Sequence, residues 1–552
     1  MTATSPERLS IRGWWLVLVL AILWFSFLGY RDLIEPDEGR YAEIPREMVA
    51  SGDWLTPRLN TFLYFEKPPL QYWATAVFYH WLGVDNASSR LWTALTGFVG
   101  ILLTLAIGRR IFGDTAGWTA ALVLSSMLLY TALGHFNTLD MSTGMWMFLG
   151  VGALVLGQHD RHHPTRNRNA MLVAWAALAG ATLSKGLIGL VLPGASVVLY
   201  SLWQRDWALW RHMHLVKGLV LFVCLTAPWF IMVSRVNPDF ASFFFIHEHF
   251  DRFATPSHSR PGPWWYFIGV LLVGTLPWTA KVLKVILRPG FSWRPGTGEF
   301  DPARLLWVYA MFVLFFFSVS HSKLIPYIIP MFPPLALLVG RLLAQMELPL
   351  PSSSWDWEIR ALLLLAMTAL IACTIPDLLA SHAHPPDMIR MLRPWLLTAA
   401  VVFLLTLLIA WRQPGRHSLW LMSLLILTGF QILTLGAQEL SPTKSSREAA
   451  HAILTAVPPD TPVYAVDSYF QSLPFYLQRP LRLVNFQGEL EFGIQRQPER
   501  WIGHSDLFRR QWMASDQAVA VFNRDDLPNW QKESLPMRVI HQDGKRVVVV
   551  RR

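Results

Sequence analysis

Apolar runs long enough to cross a bilayer dominate this sequence and leave few architectures open. The first, Gly13–Tyr30, is eighteen residues without a formal charge. Further runs lie at roughly 89–107, 116–133, 141–157, 170–184, 187–203, 215–234, 264–283, 305–320, 324–340, 361–379, 394–411 and 418–437, which makes thirteen expected spans. Hydrocarbon offers no partner to an open backbone, so spans of this kind are expected to be helical. The stretch 69–83 is apolar but short and is expected to lie along the interface. The fifth and sixth runs form either two spans or a re-entrant pair, and neither choice changes the sidedness of the later loops. Composition agrees, since 53% of the 552 residues are hydrophobic and only 15% charged, against about 25% charged in an average soluble domain. The net charge of +10 therefore speaks of topology and anionic lipid, and no nucleic-acid partner is expected. Cys224 and Cys373 both lie in apolar runs and give neither a disulfide framework nor a thiol metal site. Arg8 and Arg12 precede the first run without a convincing cleavage site after it, so it is expected to be a retained span.

Lysine and arginine placement orients the chain. With the N-terminus inside, basic residues crowd the inner loops, Arg109, Arg110, Arg161, Arg166, Arg168 and Arg205 among them. The outer loops beyond residue 69 hold far fewer, and thirteen spans place the C-terminus on the outer side. The first outer loop, Arg31 to Pro69, is different: it carries eight carboxylates and five basic residues. Charge at that density beside a span needs water, a protein surface or a charged ligand. Asp37-Glu38 is expected to open a short helix with Asp37 as N-cap, which Gly52 ends and Pro45 kinks or divides.

This topology brings the unusual polar residues to one side. Asp37, Glu66 and Lys67 lie in the first outer loop, Asp140 opens the fourth span, and Lys185 divides the fifth from the sixth. His247, His249, Asp251 and Arg252 occupy FFFIHEHFDRF, and His321, Lys323 and Tyr327 stand at the ninth-to-tenth turn. Singly, each has a bland alternative: Asp140 as a helix cap, Lys185 snorkelling, Tyr327 in an interfacial belt. Together they offer separated carboxylates, several cations and a candidate metal site, a set suited to transfer from an anionic leaving group at a membrane surface. The interior runs are nearly charge-free, which argues against a lipid-sugar transporter or flippase, and the absence of a phosphate-cradling glycine loop argues against an ATP-driven pump.

From about Ser441 charge returns, and TPVYAV, LRLVNF, AVAVFN, MRVIHQ and Gly544–Val550 alternate with turn signals, with a helix expected over Ser468–Gln478. The expected organisation is therefore a membrane domain over 1–440, with 31–69 as its catalytic loop, followed by a small α/β domain over 441–552.

The runs Asp37-Glu38-Gly39-Arg40-Tyr41-Ala42-Glu43-Ile44 and Tyr64-Phe65-Glu66-Lys67-Pro68 resemble the first periplasmic loop of the bacterial lipid A aminoarabinose transferases. These are GT-C class glycosyltransferases related to protein O-mannosyltransferases. Leu139-Asp140 and Ser322-Lys323-Leu324-Ile325-Pro326-Tyr327-Ile328-Ile329-Pro330 match in order and spacing. The resemblance implies a multi-span α-helical GT-C fold of about thirteen transmembrane helices with a C-terminal periplasmic α/β domain. It implies an inner-membrane enzyme, a monomer among membrane lipids, that moves 4-amino-4-deoxy-L-arabinose from undecaprenyl phosphate to a lipid A phosphate. A relative moving galacturonate or a hexose to lipopolysaccharide or protein is the alternative. Residue by residue, Asp37 corresponds to the essential first-loop aspartate, Asp140 to the second acidic position, and Arg40 and Tyr41 to substrate-binding positions of the same motif. Lys67, Arg252, Tyr327 and Lys185 correspond to groups at the donor's lipid phosphate. Glu66 and His247, with His249 as alternative, correspond to ligands of a divalent metal, zinc. Direct displacement with inversion is the simpler course, because no second carboxylate is placed as a nucleophile.

Overall fold

The computed structural model describes residues 11–251, 262–296, 298–346, 356–374, 390–412, 416–533 and 535–551. Helix occupies every one of the thirteen apolar runs, and the chain is a multi-pass membrane protein. Among the described residues, six helical segments are long and apolar enough to cross a bilayer: Asn86–Phe112, Leu139–His159, Leu215–Val236, Pro302–Val319, Ile325–Ala344 and Ser418–Lys444. Of the remaining runs, Pro164–Lys185, Asp356–Thr374 and Arg393–Arg412 form helices of 22, 19 and 20 residues, and the others are shorter or interrupted helices. Pro164–Lys185 extends the fifth run with a polar first turn to 22 residues, about 33 Å. The fifth and sixth runs are thus two antiparallel helices joined through Gly186 and Leu187, rather than short re-entrant halves. Leu70–Leu82 is 13 residues long, about 20 Å, and is too short to span.

Two interruptions answer one another. The third run breaks between Asp114–Ser125 and Leu128–Leu133, and the eighth between Tyr266–Gly274 and Thr279–Leu287. Where they meet, the Leu128 amide donates to the Leu276 carbonyl at 3.1 Å, and the Trp278 indole donates to Ser126 Oγ at 2.9 Å. A broken helix is tolerated in apolar surroundings only when its freed groups find such partners.

After the last long helix the chain builds a five-stranded mixed sheet. Its strands are β3 (Val463–Val466), β4 (Arg482–Val484), β5 (Val519–Asn523), β6 (Met537–Gln542) and β7 (Arg546–Arg551), counting the hairpin β1 (Arg58–Leu59) and β2 (Phe62–Leu63) of the first loop. The order is β4-β3-β5-β7-β6, with β4, β3 and β5 parallel and β7 antiparallel to both its neighbours. The helix expected over Ser468–Gln478 shrinks to Leu473–Leu477. Strands buried on both faces read as continuous apolar runs, as VYAV and VVVV do. Tyr464, Val466, Val547 and Val549 pack with Phe508, Trp512 and Trp530 on one face. Val463, Ala465, Val548 and Val550 pack on the other face with Tyr41, Ile44, Met48, Leu59 and Phe62 of the first loop. The loop and the C-terminal domain thus share one core.

Polar contacts follow the same seam. Asp32 accepts from Arg447 at 2.6 Å and from Gln438 at 3.0 Å, and Glu35 accepts from Ser446 and Ser472 at 2.5 and 2.7 Å. Asn60 exchanges two hydrogen bonds with the Leu481 backbone, at 2.9 and 2.7 Å. Gly39 sits where the loop helix meets that domain: a Cβ there would stand 2.5 Å from the Ser472 nitrogen. The charges of the first loop are therefore answered largely by protein.

The helix that organises the loop is Asp37–Ser51. It ends, as expected, at Gly52 in the left-handed region with φ 73°. Pro45 lies inside it without dividing it. The expected cap is corrected: Pro36 takes the N-cap position, and Asp37 makes no capping bond. Glu38 is the anchor beneath. Its carboxylate accepts from Arg90 Nε at 2.7 Å and Nη2 at 2.9 Å, from Arg31 at 3.2 Å, and from the Ile34 and Asn137 amides at 2.9 and 3.0 Å. Burial alone would raise its pKa, but Arg90 and then Arg31 pull it down to about 2. Glu38 thereby fastens the residue beside Asp37 to the loop that leads into Asp140.

One turn further on, Glu43 and Arg46 form a buried bidentate pair, both bonds at 2.6 Å. Burial, and then the Glu43 charge, push the neighbouring Glu47 up to about 8. A carboxyl whose folded pKa is raised stabilises the fold fully below its ordinary pKa, and that contribution is lost as pH rises through the folded value. Melting temperature is expected to fall between about pH 4.5 and 8 in the wild type. The decline should be smaller in Glu47→Gln, which keeps an acceptor for the Thr61 amide; equal slopes in differential scanning fluorimetry would refute this.

Candidate active site

A cavity of about 840 Å³ opens between the first loop, the ends of the membrane helices and the C-terminal domain, within the size range of small-molecule sites. Asp37, Arg40, Tyr41, Glu66, Lys67, Asp140, Lys185 and Tyr327 all line it. The sequence scattered these residues over nearly three hundred positions, and the fold brings them to one chamber. Arg252 lies outside the described residues. So does the side chain of His247, and that of the alternative His249. Lys323 does not join the chamber: its ammonium donates to the Phe317 and Ser318 carbonyls at 2.9 and 2.6 Å, closing the end of the Pro302–Val319 helix.

Two carboxylate–cation pairs set the chemistry. Asp37, in the first turn of its helix, is half exposed and accepts from Arg40 Nη1 at 2.8 Å. The positive end of the helix dipole favours its charge there. Arg40 also pairs through Nε with Glu489 of the C-terminal domain. Burial opposes the Arg40 charge, yet Tyr64, Glu489, Tyr41 and Glu66 around it hold its pKa well above the ordinary value. Burial, and then the Asp37 charge, push the Tyr41 phenol above its usual range, so Tyr41 acts as a neutral hydrogen-bonding group. In the same lining, Lys185 donates to Asp140 and sits 4.6 Å from the centroid of the Tyr327 ring. Neither bland alternative describes this pair. Thr138, not Asp140, holds the N-cap position of Leu139–His159, and Lys185 is turned to a carboxylate. Lys67 donates to the Glu66 carbonyl at 2.6 Å.

The wall that sequence reasoning missed belongs to the C-terminal domain. Glu489, Glu491, Phe492, Gln495 and Arg496 line the chamber together with Asp239. Residues Gly488–Arg496, GELEFGIQR, hold three charged groups in a short turn and helix, a pattern common enough on any soluble surface to carry no signal alone. A chamber with carboxylates beside an array of cations suits displacement at a carbon bearing an anionic leaving group.

The comparisons with known proteins bear on that reading. Residues 449–551 match the family described as aminoarabinose transferase C-terminal domain, and residues 66–231 match dolichyl-phosphate-mannose-protein mannosyltransferase. The undecaprenyl phosphate-alpha-4-amino-4-deoxy-L-arabinose arabinosyl transferase of Shewanella sediminis is 28% identical, covering 94% of each chain. The crystal structure of ArnT from Cupriavidus metallidurans bound to undecaprenyl phosphate is 36% identical and superposes with a TM-score of 0.90 over 98% of both chains. The chain belongs to the aminoarabinose transferase family. It is a glycosyltransferase with the GT-C architecture that the first-loop motifs implied. The apo form of the Cupriavidus enzyme superposes at 0.88. In this member of the aminoarabinose transferases, the first loop and the C-terminal domain build the chamber jointly.

Proposed function

We propose that this glycosyltransferase acts in a bacterial inner membrane, as a monomer, with its chamber facing the periplasm. There it moves 4-amino-4-deoxy-L-arabinose from undecaprenyl phosphate to a phosphate of lipid A. What carries the reading is the chamber that joins Asp37 and Asp140 to Lys67, Lys185 and Tyr327, in a fold shared with an enzyme crystallised with undecaprenyl phosphate. The excess of basic residues in the loops on the opposite side supports the orientation.

In this mechanism an acceptor phosphate oxygen attacks the anomeric carbon from the face opposite the donor phosphate. The new carbon–oxygen bond forms as the bond to the donor phosphate breaks, and the electron pair leaves with undecaprenyl phosphate, so the anomeric configuration inverts. Lys67 and Lys185 stabilise the charge that develops on the leaving phosphate, and Tyr327 packs beneath Lys185. Asp37 stabilises positive character at the anomeric carbon and is oriented by Arg40. An acceptor phosphate is already anionic at neutral pH and needs no general base. A zinc ion bound through Glu66 and His247 is part of the proposal only as a further source of positive charge. Among the described residues no group of three metal-ligating side chains gathers.

Mass spectrometry of lipid A from cells with and without the gene tests the reading. Phosphate groups carrying an added aminopentose are expected only when the gene is present. Unmodified lipid A in both, or addition of a hexose or hexuronate instead, would overturn it.

A further inference from the structure

The cations of the chamber are committed unevenly. Lys185 is paired with Asp140, Arg40 is held between Asp37 and Glu489, and Lys67 lies along the Glu66 carbonyl. All three come from the first loop and the ends of the membrane helices. Arg496 is the one basic residue that the C-terminal domain contributes to the lining among the described residues. Its guanidinium lies 3.7 Å from the centroid of the Phe492 ring, and its Nη1 donates to the Phe492 carbonyl at 3.3 Å. Phe492 packs in turn on Phe243 at 4.1 Å and Phe65 at 5.7 Å. The guanidinium is thus packed on the Phe492 ring independently of its ionic partner. That partner is Asp239, which accepts from Nε at 2.8 Å, and the pair is open to solvent, with 31% of the arginine and 62% of the aspartate side chain exposed.

We propose that Arg496 binds a phosphate of the acceptor, and that Asp239 is a placeholder the phosphate displaces. The proposal rests on the reading of the acceptor as a phosphorylated glycolipid. Glu489, Glu491 and Asp239 make this wall acidic, so an anionic acceptor needs a cation there to approach at all. A planar guanidinium matches a phosphate through two parallel hydrogen bonds, and an exposed carboxylate partner holds it only weakly. The donor phosphate has its own cations, Lys67 and Lys185, on other elements of the lining. Two anionic substrates are thereby met by different cations of one chamber.

The two members of the pair give opposite expectations, which a merely structural latch would not. With purified full-length enzyme, undecaprenyl-phosphate aminoarabinose and bisphosphorylated lipid A, Arg496→Ala should raise the KM for lipid A about tenfold, the worth of one charge-assisted hydrogen bond. The donor KM should stay within about twofold, and Arg496→Lys should recover part of the loss. Asp239→Asn should leave the lipid A KM unchanged or lower it, because it removes the competitor. If Arg496→Ala and Asp239→Asn raise that KM alike, the pair is a latch and the proposal fails; it fails equally if Arg496→Ala leaves the KM unaltered. Should Arg496→Ala not fold, judged by melting temperature, Arg496→Lys and Asp239→Asn decide the matter by the same signs. A wild-type enzyme that transfers nothing to bisphosphorylated lipid A would refute the functional reading itself, a result distinct from either failure.

Discussion

Asp37→Asn is expected to fold, insert and bind the donor lipid, and to transfer sugar about a hundredfold more slowly or worse. The carboxylate makes no capping bond, so the substitution removes no cap. The structural loss is confined to the interaction of the charge with the helix end, about 0.3–1 kcal/mol, and to one hydrogen bond with an Arg40 that keeps Glu489. The chemical loss is larger, because an electrostatic group aimed at developing charge is worth a hundredfold or more in rate. Asparagine keeps the shape and discards the charge, which separates the two contributions. Single-turnover transfer on samples matched for melting temperature measures it. Turnover within a few fold of wild type would move the centre of the reaction away from the first loop, toward Asp140 and Lys185.

The second large effect falls on Lys67. As a cation for the leaving phosphate, it should be costly to truncate: Lys67→Ala is expected to lower kcat/KM by about two orders of magnitude. Lys67→Arg should restore part of that, since it keeps the charge and changes its geometry. The competing role is local, because the ammonium donates to the Glu66 carbonyl at 2.6 Å. Losing that contact alone would cost about 1 kcal/mol of stability and leave turnover near normal. Steady-state kinetics beside thermal melting distinguishes the two, and a stable Lys67→Ala with full turnover would remove the lysine from the mechanism.

Much of this architecture is legible in the chain because the forces behind it are local or periodic. An apolar run in hydrocarbon has to become a helix, and VYAV or VVVV flanked by turns has to become a buried strand. The residues Asp37, Glu66, Lys67, Asp140, Lys185 and Tyr327 stand out because ionisable and phenolic groups at membrane edges are few. What stays illegible depends on pairing across the fold. Arg90 reads as one more loop cation, yet it is buried 52 positions from the Glu38 it holds. Lys323 reads as a site residue because it sits beside Tyr327, but the nearest unmet carbonyls belong to the preceding helix. The acidic wall with Arg496 is invisible in GELEFGIQR, since nothing local says that this turn closes over a chamber built by the distant first loop and membrane helices.

The shared core also dictates an order of events during synthesis. Glu35 awaits Ser446, which lies 411 positions later, and Ile44 and Met48 pack with strand residues as far along as Val550. The loop holding Asp37 is made long before these strands, yet it reaches its working shape only when they have been delivered to the same side of the membrane. A half-made chain therefore carries membrane helices and no finished chamber. Assembly of the chamber is thereby tied to arrival of the C-terminal sheet, and insertion of the membrane helices alone does not complete it.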